Sequence, residues 1–78
     1  MMTSQQPETL TIHTEYIELC NVLKLAGPRL TGGEAKQWII EGRVAVEGQI
    51  ETRKKCKIKP GQMIACPGYR IEVKGVGT

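Results

Sequence analysis

Aspartate and phenylalanine are absent from this sequence, histidine occurs once, and the aromatic residues are limited to Tyr16, Trp38 and Tyr69. Each shortage excludes a chemistry. Every acid is a glutamate, and most fall at helix starts or on solvent-facing positions, so no magnesium site of paired carboxylates is expected. His13 has no cysteine or carboxylate cluster beside it, which leaves no Ser-His-Asp or Cys-His arrangement. Cys20, Cys56 and Cys66 are odd in number and lack C-x-x-C spacing, so neither a disulfide framework nor a zinc site follows. Cys20 and Cys66 sit among apolar residues and are expected in the core. Cys56 is expected to be the exposed one, with basic neighbours that favour a lowered thiol pKa. Reduced cysteines point to the cytoplasm. No apolar stretch approaches the ~20 residues of a membrane helix, and residues 1–9 hold no basic segment of the signal-peptide kind. The phosphate-binding patterns GxGxxG and GxxxxGK[ST] are missing. No catalytic residue, metal, cofactor, membrane or small-molecule substrate is therefore expected.

The chain of 78 residues is expected to form one small domain that buries about 60 % of its unfolded surface. Its net charge of +3 is ordinary, but the distribution is not. Residues 1–23 carry Glu8, Glu15 and Glu18 and no Lys or Arg, a net −3, while the remainder carries +6. Arg53, Lys54, Lys55, Lys57 and Lys59 fall within seven residues that contain no acid. Such a run is either a solvated loop or a surface that attracts a polyanion. Tyr16 and Trp38 lie on apolar helical faces and are expected in the core, which leaves no stacking platform for bases of the kind RNA-recognition-motif and OB modules use. Lys and Arg contacts read phosphates and groove shape. A folded or double-stranded RNA is the natural partner of such a surface.

Residues 1–8 are expected to be a tail, 9–74 the domain and 75–78 a second tail. Thr9–His13 alternates as a short edge strand. Thr14 is placed to cap a helix over residues 15–25, in which Tyr16, Leu19, Cys20 and Leu23 recur at helical spacing. Gly27-Pro28 ends it. Thr31 and Glu34 have capping-box spacing for a second helix with Ala35, Trp38 and Ile39 on its buried stripe, closed by Gly42. After Gly42 the apolar period changes to alternation. Val44 and Val46 face one way, Glu47-Gly48 turns, and residues 51–57 cross the surface as a polar loop. Pro60-Gly61 turns again, and 62–66 pairs with 69–73 around Pro67-Gly68, with Tyr69, Ile71 and Val73 inward. The fold class expected is α+β, with two N-terminal helices packed on a small, mostly antiparallel curved sheet. Its core is expected to hold Leu19, Leu23, Ala35, Ile39, Val44, Val46, Ile64 and Ile71.

The stretch 17–64 resembles the RNA-binding domain named after small-subunit ribosomal protein S-four, the αL motif. The resemblance is carried by Leu19, Leu23 and Gly27, by Thr31, Ala35, Ile39, Gly42, Val44, Val46 and Gly48 in the pattern A-x-x-x-I-x-x-G-x-V-x-V-x-G, and by Gly61 and Ile64. ELCNVLKLAG and GQIETRKKCKIKPGQ are similar to small stand-alone bacterial members of the YbcJ type. The resemblance implies RNA bound along a basic face made by the second helix and the following loop. Lys36 and Arg43 match positions commonly basic in the motif, and Arg53, Lys54, Lys55 and Lys57 match the basic loop of the stand-alone branch. Lys36 and Arg43 would share a face if the helix continued to 43. Gly32-Gly33, Glu18 and Cys20 depart from residues common in the family, which moves the expected contacts toward the 53–59 loop. The expected molecule is a monomeric, cytoplasmic, non-catalytic protein that binds structured RNA, ribosomal RNA among the candidates. The competing expectation is an adaptor whose basic face meets an acidic protein.

Overall fold

A computed structural model describes residues 7–76; residues 1–6 of the expected N-terminal tail, and 77–78 of the C-terminal one, lie outside the described residues. The first strand, β1, spans Glu8–Ile12. Next comes β2, Ile17–Glu18, which leads directly into helix α1, Leu19–Leu25. The helix expected from residue 15 therefore starts four residues late. Ile17 and Glu18 pair antiparallel with Ile58 and Lys57, and that tertiary pairing overrides the local helical periodicity. The Thr14 hydroxyl donates to the Tyr16 carbonyl at 2.7 Å and caps nothing. Tyr16, expected in the core, is 40 % exposed because it precedes the helix altogether.

Helix α2, Gly32–Ile40, begins as its sequence dictates. The Glu34 N–H donates to Thr31 Oγ1 (3.2 Å), and the Thr31 N–H donates to Glu34 Oε1 (3.0 Å). It ends in a Schellman arrangement: the Gly42 N–H donates to the Ile39 carbonyl and the Arg43 N–H to that of Trp38, both at 3.0 Å, with Gly42 at φ +77°. The helix thus does not reach residue 43, and Arg43 does not extend the face of Lys36.

The remaining strands are β3 (Ala45–Val46), β4 (Gln49–Ile50), β5 (Lys57–Ile58), β6 (Met63–Cys66) and β7 (Tyr69–Gly75). The main sheet runs β1-β7-β6-β3-β4, with β1 parallel to β7 and the other neighbours antiparallel. Glu47 and Gly48 both have positive φ, 52° and 83°, the backbone of a type I′ hairpin turn between β3 and β4. Strands β2 and β5 form a separate pair.

One core joins the helices to the sheet. Leu19, Val22 and Leu23 of α1 and Ala35 and Ile39 of α2 are buried with Ile12, Val44, Ile58, Ile64, Ile71 and Val73. Val46 is only partly buried against this cluster. Tyr69, expected inward, is exposed: it pairs with Cys66 at the very end of the β6–β7 hairpin, past the core. Cys66 is buried and Cys20 partly so; Cys56, expected exposed, is also half-buried. Gly27, at φ +62°, links the layers, and its N–H donates to Glu8 Oε1 at 3.0 Å. The other oxygen of Glu8 accepts from Arg29 Nη2 at 2.6 Å, tying β1 to the turn between the helices. Among the described residues, no helix is long and apolar enough to cross a membrane.

Candidate nucleic-acid interface

The basic segment is built on backbone hydrogen bonds. The Cys56 N–H donates to the Arg53 carbonyl (3.1 Å) and closes a turn over residues 53–56. From the other side, the carbonyls of Lys54 and Cys56 accept the N–H groups of Cys20 (3.1 Å) and Leu19 (2.9 Å). Those are the first two amides of α1, whose N-cap residue Glu18 supplies no side-chain cap. The loop backbone thus does the work of a capping residue. With two carbonyls turned inward, the side chains of Arg53, Lys54 and Lys55 are left exposed. The segment is a docked turn with β5 immediately after it.

The six basic residues singled out in the sequence do not stand in equal positions. Arg53 is engaged by Glu51: its Nε and its backbone N–H both donate to Glu51 Oε2, at 2.8 and 3.1 Å, and its Nη2 to Oε1 at 3.3 Å. These donations, led by the Arg53 side chain, hold the Glu51 carboxyl down to about 2 and raise the guanidinium in turn. Arg43 is similarly held by Glu41, Nε to Oε1 at 2.8 Å. Among the described residues, Lys36, Lys54, Lys55 and Lys57 enter no ion pair. Lys57 sits over the ring of Tyr16, 5.0 Å from its centroid. The Cys56 thiol is pushed up, chiefly by burial and then by the nearby Glu51 carboxylate, opposite to the lowering expected from its basic neighbours. Burial alone pushes Cys66 up to about 11.

Between α2 and this turn lies an open concavity of about 510 Å3, lined by Ile40, Thr52, Arg53, Lys54, Lys55 and Cys56. Ile40 closes α2 and is 62 % exposed. Lys36 is four residues before Ile40, on the same helical face, so it stands one turn from the groove. The structure therefore lines one groove with residues 53–55, stands Lys36 one helical turn from it, sets Lys57 over Tyr16 and pairs Arg43 with Glu41. Ile40 escaped the sequence reading, and Tyr16 was expected in the core. The signal for Ile40 was its position off the Ala35–Trp38–Ile39 stripe. Nothing local marked Tyr16, whose exposure depends on the pairing of β2 with β5. Among the described residues, no cluster of His, Cys, Asp and Glu is placed to hold a metal ion.

Comparison with known proteins agrees with this architecture. YbcJ of Escherichia coli is 47% identical over 58 residues, which cover 74% of this chain and 83% of that protein, and YbcJ of Shigella flexneri matches to the same extent. A solution structure of E. coli YbcJ, described as revealing an αL motif involved in RNA binding, superposes with a TM-score of 0.69 at 37% identity and covers 95% of each chain. The family model of the S4 domain matches residues 10–74. The chain belongs to the S4-domain family, and its two helices and mixed, mostly antiparallel sheet are an αL-motif fold.

Proposed function

We propose that this protein is a non-catalytic RNA-binding protein that holds the phosphates of a structured RNA on the face formed by α2 and the docked turn. Lys54 and Lys55 are the principal contacts, Lys36 and Lys57 extend them along the two flanks, and Arg53 and Arg43 join by exchanging their glutamate partners for phosphate. One observation supports this reading above the others: exposed lysines without an acidic partner stand on a turn whose backbone is fixed to the start of α1. A fixed backbone lowers the ordering cost of each contact. The S4-domain membership and the RNA-binding motif described for E. coli YbcJ support the same partner. Ribosomal RNA is among the candidate partners, and the surface needs only backbone geometry to engage it.

Lys54→Ala/Lys55→Ala tests this. Binding to several duplex-containing RNAs should weaken alike, and the slope of log affinity against log salt should fall by about 1.4–1.8, the share of two phosphate contacts. The thermal midpoint should stay near wild type, since both side chains are exposed. Unchanged affinity and slope would leave the turn as a solvated charge run. If an acidic polypeptide of matched charge displaced RNA at equal concentration, the face would belong to a protein partner.

A further inference from the structure

We propose that the groove between Ile40 and the turn of residues 52–56 receives one unpaired base of the bound RNA, so that the protein prefers a helix interrupted by an unpaired nucleotide to an unbroken duplex. This inference rests on the RNA-binding reading above and adds to it a site for a base. Phosphate contacts alone need no apolar wall, yet the basic residues here rim a concavity whose α2 wall is an exposed isoleucine. Its volume of about 510 Å3 lies within the ~300–1,000 Å3 span of ligand clefts. An apolar wall with a cationic rim matches the two halves of a nucleotide: the flat face of the base packs on Ile40, and the phosphates on either side reach Lys54 and Lys55. Thr52, also in the lining, supplies a hydroxyl that can donate to or accept from a base edge. A paired base inside a stack cannot present its face, so the occupant must be bulged or flipped out. Lys36, one helical turn from Ile40, is placed for the backbone of the adjoining stem. Ile40 has no other evident use, because the buried stripe of α2 is complete without it.

The test uses two RNA hairpins with identical stems, one fully paired and one carrying a single bulged fluorescent adenine analogue. Wild-type protein should bind the bulged hairpin about tenfold tighter, the scale that partial burial of one isoleucine side chain supplies, and should change the fluorescence of the analogue. Ile40→Ser should erase the preference and the fluorescence change while retaining affinity for the paired hairpin; Ile40→Leu should keep both. The exposure of Ile40 predicts a wild-type thermal midpoint for each variant. Equal binding of the two hairpins, with Ile40→Ser indistinguishable from wild type, would overturn the base site while leaving the phosphate face intact. Absence of salt-dependent binding to either hairpin would overturn both. Displacement of the bulged hairpin by an acidic peptide bearing one apolar residue, lost in Ile40→Ser, would assign the groove to a protein instead.

Discussion

Replacing Gly27 with alanine separates two costs that a glycine usually hides together. The first is conformational: at φ +62° an L-residue loses roughly 1–2 kcal/mol. The second is steric. A Cβ at position 27 would lie 2.9 Å from Ile71 Cδ1, 3.3 Å from Ile71 Cγ1 and 3.4 Å from the Cβ of Tyr69. Ile71 is fully buried in β7, so either its Cδ1, the far end of the side chain, turns within a packed core or the inter-helix turn shifts. Overpacking of this kind costs about 1–3 kcal/mol. Gly48 is the control, because it has φ +83° and nothing within 4 Å of a built Cβ. Gly27→Ala should therefore lose about 2–5 kcal/mol and Gly48→Ala only about 1–2 kcal/mol. For a domain of this size those losses correspond to falls in Tm of roughly 10–30 °C and roughly 5–15 °C. Urea unfolding followed by circular dichroism reads both, with an unchanged m-value marking a true loss of stability. The atom responsible can be removed: Ile71→Val deletes Cδ1, and the double variant should lose less than the sum of the singles. Equal losses at positions 27 and 48, or additivity with Ile71→Val, would refute the steric argument.

Two further predictions concern the loop. Glu51 titrates well below its unfolded value of 4.5, so its bonds to Arg53 stabilise the fold fully above that pH and are lost as pH falls toward about 2. Glu51→Gln should flatten the acid limb of Tm against pH between those values, an effect reduced by salt because the Arg53 side of the pair is exposed; superimposable acid limbs would contradict it. The same substitution should strengthen RNA binding at neutral pH and steepen the salt slope by about 0.7–0.9, since Arg53 no longer has to give up a carboxylate. Cys56→Ser should leave affinity and Tm close to wild type, and the thiol should react slowly with iodoacetamide at pH 7 because burial disfavours the thiolate; fast alkylation would show an activated cysteine.

What was legible in the sequence was whatever local chemistry decides. The capping box of Thr31 and Glu34, the stop at Gly42, the turn at Glu47-Gly48 and the alternation of Ile71 and Val73 each depend on residues within a few positions of one another. The change of apolar period at Gly42 carried the order of elements, and the expected core positions are buried apart from Val46, while Val22 and Ala26 were missed. The start of α1 was not legible, because it is decided by a partner forty residues away: Ile17 pairs with Ile58, and the first helical amides find their acceptors in Lys54 and Cys56. Tyr16 then falls outside the helix, which is why an apolar position read as core becomes an exposed ring under Lys57. Within the candidate site the charges were legible and their pairing was not. Glu41 and Glu51 each sit two residues before an arginine, a spacing that allows an ion pair in an extended or turning backbone and forbids it on a helix face.

That pairing reverses the ranking that residue type alone would give. Arginine is ordinarily the stronger phosphate ligand, through two parallel hydrogen bonds, and Lys54 and Lys55 would then be accessory to Arg53 and Arg43. Here both arginines are already paired with carboxylates at 2.8 Å, so each phosphate contact made by an arginine is an exchange of one anion for another. The lysines exchange only water and condensed ions, and their backbone positions are set in advance by α1. The released glutamate must also remain close to the incoming phosphate, which adds repulsion to every arginine contact. On the proposed face, lysine contacts should therefore carry the larger share of the net affinity. The arginines are then expected to act as discriminators: they would contribute only where the geometry of the RNA presents a phosphate well enough aligned to displace Glu51 or Glu41. On the proposed reading, a face arranged in this way would bind many RNAs weakly through lysine and reward the correctly shaped one through arginine, a route by which a surface without base-stacking aromatics in its groove can distinguish among folded RNAs.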